Sequence, residues 1–150
     1  MSDQQRDARE CPTWVSGQRP RTHGWAPADR PRMQIHVEGA WRWATVRQRQ
    51  DWPDGRVAYQ VDILLPDPEF GRDAHYIRSY WWDPETVRPS RHPAIGWQLR
   101  HTPGTGGAIL HRDDCPDAGG GKLDRAAAFS VLQERNISGC RKCRPEADLT

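Results

Sequence analysis

Lysine is almost missing from this chain: Lys122 and Lys142 are the only two among 22 basic residues. Phenylalanine is as scarce, with Phe70 and Phe129 alone, and hydrophobic residues of all kinds make up 35%. No apolar run approaches the roughly 20 residues that span a bilayer. The opening "MSDQQRDARECPTW" lacks the apolar core of a secretion signal. These absences predict a cytoplasmic protein with no membrane partner, in a compartment where thiols stay reduced. They also argue against a large core in 150 residues. Small units of such composition are commonly stabilised by a metal or by disulfides. Catalytic signatures are missing too. There is no Ser/His/Asp pattern, phosphate-binding glycine loop or metalloprotease motif. "GTGG" (Gly104–Gly107) reads as a hairpin turn, and His23, His36, His75, His92 and His101 have no mutual spacing. The expectation is a protein that is not an enzyme.

What is present is tryptophan, eight residues of it, with thirteen prolines and thirteen glycines. Aromatics are therefore expected to supply much of the core. The net charge of +2 neither requires nor excludes a nucleic-acid partner. Residues 1–32 are rich in Arg, Pro and Asp without apolar periodicity, and read as a disordered or loosely attached tail. Cys11 lies in it and reads as a lone reduced thiol.

Residues 33–90 read as a run of short strands. "MQIHVE" alternates, and "GAWRWATVRQR" sets Trp41, Trp43 and Thr45 on one face and Arg42, Ala44 and Val46 on the other. "QDWPDG" is a hairpin signal, "RVAYQVDIL" alternates again, and "HYIRSYWW" is a further strand before "DPETVRP". So few short strands suit a small bent antiparallel barrel. The order "VEGAWRWATV", long hairpin, "YWWDPETVRP" resembles an SH3-like or Tudor-like barrel. Trp81 and Trp82 point to opposite faces, so one at most belongs to the core.

Residues 92–146 read as a second unit, followed by a short tail at 147–150. "IGWQLRH" and "AILHRDD" form a hairpin, "PDAGGGK" is a flexible loop, and a helix follows from about Asp124 to Arg135. Asp124 is its N-cap, and Ala127, Ala128, Val131 and Leu132 form its apolar stripe. The overall class is α+β: a small SH3-like antiparallel barrel, then a ββα module. Three of the four cysteines gather in this second unit. His111 and Cys115 leave the hairpin, and Cys140 and Cys143 form a Cys-x2-Cys pair. Four soft or borderline donors at this spacing suit one tetrahedral structural Zn²⁺. Two competitors stand beside that reading. One is a redox protein or thiol-dependent enzyme using Cys140 and Cys143, which would want a strand before the pair and a helix after it. The other is a catalytic zinc, which needs an open coordination position.

"LHRDDCPD", an Ala-rich helix and "ISGCRKCRPEADL" together resemble the Ada-type metal-binding module. That resemblance implies an Ada-like fold over about the last 45 residues, with a zinc site built from a first ligand, a Cys four later and the final Cys-x2-Cys. In the family the first ligand is a cysteine that accepts a methyl group from a DNA phosphotriester. His111 stands at that position here, and an imidazole is not a thiolate nucleophile, so the scaffold carries over and the methyl transfer does not. The chain is also similar to small actinobacterial proteins with "YWWDP…VRP" followed by "HRxDC…CxxCRP", a likeness that implies no activity. The function expected is zinc-dependent binding of DNA or RNA, or of a protein. Arg141, Lys142 and Arg144 around the knuckle would meet phosphates, and Trp82, with Trp81 and Tyr80, would offer rings for bases.

Overall fold

The computed structural model describes residues 4–12 and 17–149. These residues are mostly β with one α-helix, and the chain divides into two compact units, Met1–Arg91 and His92–Thr150. In the first unit the strands are β1 (Arg21–Gly24), β2 (Arg32–Val37), β3 (Ala40–Asp51), β4 (Val57–Asp67), β5 (Arg72–Trp81) and β6 (Val87–Arg88). Glu38 and Gly39 turn β2 into β3 with φ of 51° and 76°, the paired positive values of a tight hairpin. "WPDG" turns β3 into β4 as its residues predict: Gly55 has φ 89°, and Asp54 Oδ1 accepts from Arg56 N at 2.9 Å.

The sheet order is β5-β4-β3-β2-β6, and β1 pairs with the far end of β3. A register shift between Val46 and Gln48 lets the long β3 serve both neighbours, β2 along 40–45 and β1 along 48–51. The expected barrel is corrected here. β5 and β6 stand at opposite ends of the order, so the strands do not close on one another. Residues 8–11 line the free edge of β5 instead. Cys11 N donates to Ser79 O at 2.7 Å and Trp81 N to Arg9 O at 2.8 Å, while Ala8 N reaches His36 O of β2 at 2.8 Å. Asp7 adds contacts to His36 Nδ1 at 2.7 Å and Gly39 N at 3.3 Å. The loosely attached tail expected at 1–32 is therefore corrected for its described residues: an open sheet edge offers backbone groups that need partners, and this segment supplies them.

The core of this unit is more aliphatic than the tryptophan count suggests. Met33, Ile35, Val46, Val61 and Ile63 are all at or below 2% exposure, joined by Trp25, Tyr59 and Tyr80. Strand alternation turns Ala44 and Val46 inward and leaves Trp43 53% exposed. Trp52 is buried in a smaller cluster with Ala58 and Cys11.

The second unit holds β7 (Trp97–His101), β8 (Ala108–Arg112), β9 (Gly121–Leu123), α1 (Arg125–Val131) and β10 (Ile137–Gly139), in sheet order β10-β8-β7-β9. The β7–β8 hairpin matches the sequence expectation. Asp124 caps α1, its Oδ1 accepting from Ala127 N at 2.8 Å. The helix ends short of the expected Arg135, because tighter bonds from Gln133 N to Ser130 O and Glu134 N to Val131 O turn the chain toward β10. The loop expected at "PDAGGGK" ends in β9, which pairs with β7. β10 runs parallel to β8. Trp97, Leu110, Ala128, Ala94 and Leu149 make a small core, so Leu149 anchors the end of the chain where a tail was expected.

Cys11 is 2% exposed, and burial pushes its thiol pKa up. In native protein it should stay unmodified by a thiol reagent, with or without chelator, and react only when denaturant opens the first unit. Rapid labelling of Cys11 in the folded chain would show that this N-terminal packing does not hold.

Candidate metal centre

The four predicted ligands come together through one strand pairing. β10 lies parallel on β8 with Gly139 opposite Leu110, and Cys140 N donates to Leu110 O at 2.9 Å. That sets Cys140 beside His111, the penultimate residue of β8. Cys115 follows in a turn closed by Cys115 N to Arg112 O at 3.1 Å and Ala118 N to Cys115 O at 3.0 Å. Cys143 returns to the site through a second turn, in which Arg144 N donates to Cys140 O at 2.9 Å and Arg144 takes a left-handed φ of 46°.

One ligand atom from each of His111, Cys115, Cys140 and Cys143 lies within 4.8 Å of all the others. Three of the residues are buried and Cys143 is half-buried. Cys115 Sγ and Cys140 Sγ are 4.0 Å apart. That is about twice a disulfide bond, and close to the ~3.8 Å that two sulfurs take across a tetrahedral zinc with Zn–S near 2.3 Å. His111 Nδ1 is buried without a hydrogen-bond partner among the described residues. A buried nitrogen left so is costly unless something binds it, and a metal would. Donor set, spacing and orphaned nitrogen all fit a metal ion.

Burial and backbone N–H groups set the electrostatics of the four donors. Backbone N–H groups of Cys143 and Lys142 point at the Cys140 sulfur and lower its pKa, with a smaller contribution from the neighbouring thiols. Burial pushes Cys143 up to about 12, although Arg112 N donates to its sulfur at 3.3 Å. Burial also lowers the His111 pKa, keeping the imidazole neutral as a ligand must be. Three thiolates cannot collect here unaided; a divalent cation would hold them deprotonated.

Sequence reading missed Arg112. It sits between two ligands in the chain and is only 3% exposed. Its guanidinium binds Asp114 side-on at 3.1 Å through both Nε and Nη2, meets Asp148 Oδ2 at 3.3 Å, and donates to the His92 carbonyl. One side chain thus ties both ends of the second unit to the ligand turn. The neighbouring aspartates were its only signal in sequence.

The other predicted site residues fall in different units. Arg141, Lys142 and Arg144 are exposed around the knuckle, and Lys142 Nζ binds Asp117 Oδ2 at 2.8 Å. A groove of about 590 Å³ opens beside the ligands, lined among others by Arg100, His101, Ile109, Asp117, Arg141 and Lys142. Trp82 is not part of it. It belongs to the first unit and is half-buried, edge-on to Tyr59 with ring centroids 5.8 Å apart. Tyr80 is 5% exposed, and Trp81 leans on Trp52 beneath Arg56. Tyr80 is too buried to meet a base, while Trp81 and Trp82 are half-buried, each packed on one side.

A protein-family model described as a family of unknown function (DUF6233) matches residues 97–150, from β7 to the C-terminal end and across all four ligands. No curated protein and no solved structure matches the chain. Among the described residues no helix is long and apolar enough to cross a membrane.

Cys140→Ser should unfold the second unit and spare the first. In an amide NMR spectrum the dispersed peaks of 92–149 would collapse while those of the first unit persist; an intact second unit would count heavily against the metal site. Arg112→Met should leave one metal per chain but lower the stability of the metal-loaded second unit by about 1–3 kcal/mol, the cost of leaving the Asp148 carboxylate and the His92 carbonyl without their donor. Denaturant unfolding followed by the amide NMR peaks of residues 92–149 measures it.

Proposed function

We propose that the second unit is a zinc-stabilised, non-catalytic binding module, and that its leading partner is DNA or RNA. The observation that carries the zinc reading is the mutual approach of four donor atoms, one imidazole and three thiols, within 4.8 Å. Three soft thiolates and an imidazole favour zinc over harder cations. Four protein ligands complete a tetrahedron, so the ion has no open position for substrate or activated water. Its role is then to fold the module, a contribution of about 10–16 kcal/mol in apparent terms for small zinc units. Thiolate ligation of this kind suits a reducing, cytoplasmic compartment.

An Ada-like fold for this unit is supported by His-x3-Cys on a hairpin, a short helix and a closing Cys-x2-Cys. The methyl-acceptor chemistry does not carry over, because His111 holds the place of the reactive cysteine. Support for a nucleic-acid partner comes from the groove beside the knuckle. There Arg100, Arg141, Lys142 and His101 accompany the carboxylate of Asp117, which Lys142 already occupies. The surplus positive charge suits a phosphate backbone.

Purified protein should contain one zinc per chain. A chelator should unmask three thiols, with Cys11 protected. Absence of metal, together with oxidation of Cys140 and Cys143 as a pair, would replace this reading by the redox one. On the zinc-loaded protein, Arg141→Ala should weaken nucleic-acid binding uniformly across sequences and flatten its salt dependence by about one unit of slope.

A further inference from the structure

The outer face of the first sheet carries exposed indole surface. Residues opposite one another across paired strands share a face. By that rule Arg32 and Gln34 of β2 stand with Thr45 and Trp43 of β3, and His36 with Trp41. Thr45 continues to Asp62 of β4, and Asp62 to Ile77 of β5; Arg88 of β6 lies opposite Gln34. This is the side away from Met33, Ile35, Ala44, Val46, Val61 and Ile63. On it Trp43 is 53% exposed and Ile77 50%, large apolar residues left in solvent.

Arginine is interleaved with these rings. The Arg32 guanidinium lies 4.8 Å from the Trp43 ring centroid, and the Arg88 guanidinium 3.8 Å from that of Trp41. Stacking on an indole holds a guanidinium in place without neutralising it. Neither arginine has a carboxylate partner among the described residues. Acids share the face as well: Asp62, hydrogen-bonded to His75 at 2.8 Å, Asp73 of β5, and Asp7, which meets His36 Nδ1 at 2.7 Å. Around Trp43 and Trp41, then, the face is cationic and aromatic together, the acids Asp62 and Asp73 lying toward β4 and β5. Trp41 and Trp43, two residues apart on one strand, project roughly 7 Å from each other on the same side.

We infer that this face, centred on Trp43 with Trp41, Arg32 and Arg88, binds single-stranded nucleic acid, the rings stacking on bases and the stacked arginines meeting phosphates. Local charge decides the class of occupant: two guanidiniums stacked on the indoles repel a basic partner and attract an anionic one. The rings decide the rest, because a duplex hides its base faces and a single strand presents them. The site belongs wholly to the first unit and does not rest on the metal reading.

The test is a fluorescence-anisotropy titration of the full, zinc-loaded chain against a labelled oligothymidylate, with inorganic polyphosphate and a duplex of equal charge as competitors. Trp43→Ala should weaken oligonucleotide binding roughly 5- to 150-fold, the range of one lost base stack. Being exposed, Trp43 should be removable without a shift in thermal unfolding. Arg32→Ala combined with Arg88→Ala should weaken binding and lower its salt dependence. Trp43→Phe should recover part of the loss, since a smaller ring still stacks. Unchanged binding by Trp43→Ala would overturn the inference. Equal competition by polyphosphate would overturn it too, as would loss of binding only in Arg100→Ala or Arg141→Ala, which would assign the strand to the groove beside the knuckle.

Discussion

The parallel pairing of β10 with β8 is the constraint on which the second unit depends. Three residue pairs, Ile137 with Ala108, Ser138 with Ile109 and Gly139 with Leu110, align two stretches far apart in the chain. Without that alignment the Cys-x2-Cys turn would have no reason to face His111. With it, four donors converge beside a small core built around Trp97 and Leu110. The pairing is too short to stand alone. Strand and ligand cluster support each other: the strand delivers Cys140 and Cys143, and bound cation would in turn fix the strand. This reciprocity is why metal binding and folding are one event in small modules.

Arg112 enforces the same economy by different means. A buried guanidinium is expensive unless its donors are used, and here they reach a carbonyl at the start of the unit and carboxylates in the ligand turn and near the C-terminus. A unit with so little apolar surface substitutes directional polar bonds for burial, which is not directional. The first unit solves the opposite problem. It has a continuous aliphatic core, but its sheet stays open, and the N-terminal segment covers the edge at β5. Covering an edge with chain rather than closing it keeps the outer face of the sheet continuous from β6 to β5. The exposed face of Trp43 stands there.

The four donor residues of the cluster, the β7–β8 hairpin and the cap of α1 were legible in sequence, because each rests on local chemistry: donor type and spacing, turn glycines, a carboxylate at a helix start. The lateral pairings were not. β9 and β10 are three residues each, too short for alternation to show. The packing of Cys11 and Ala8 depends on an edge that exists only once β4 and β5 have paired. The tryptophans misled for a related reason. Alternation separates Trp41 and Trp43 from Ala44 and Val46, but does not say which side becomes interior; Ala44 and Val46 join Met33, Ile35 and Ile63 in the core, and the larger rings are left outside.

Residues read one after another were enough to establish a metal-type donor set, short strands with one short helix, and the lack of any long apolar segment. Periodicity, turn residues and ligand spacing are properties of neighbours along the chain, so they can be read from it. That His111 meets Cys140, that Arg112 is the buried anchor, that the first sheet stays open, and that Trp43 rather than Trp82 faces solvent became visible only in the folded chain. Each of those depends on which distant segments share a sheet, and a pairing between remote strands leaves no mark in either strand taken separately.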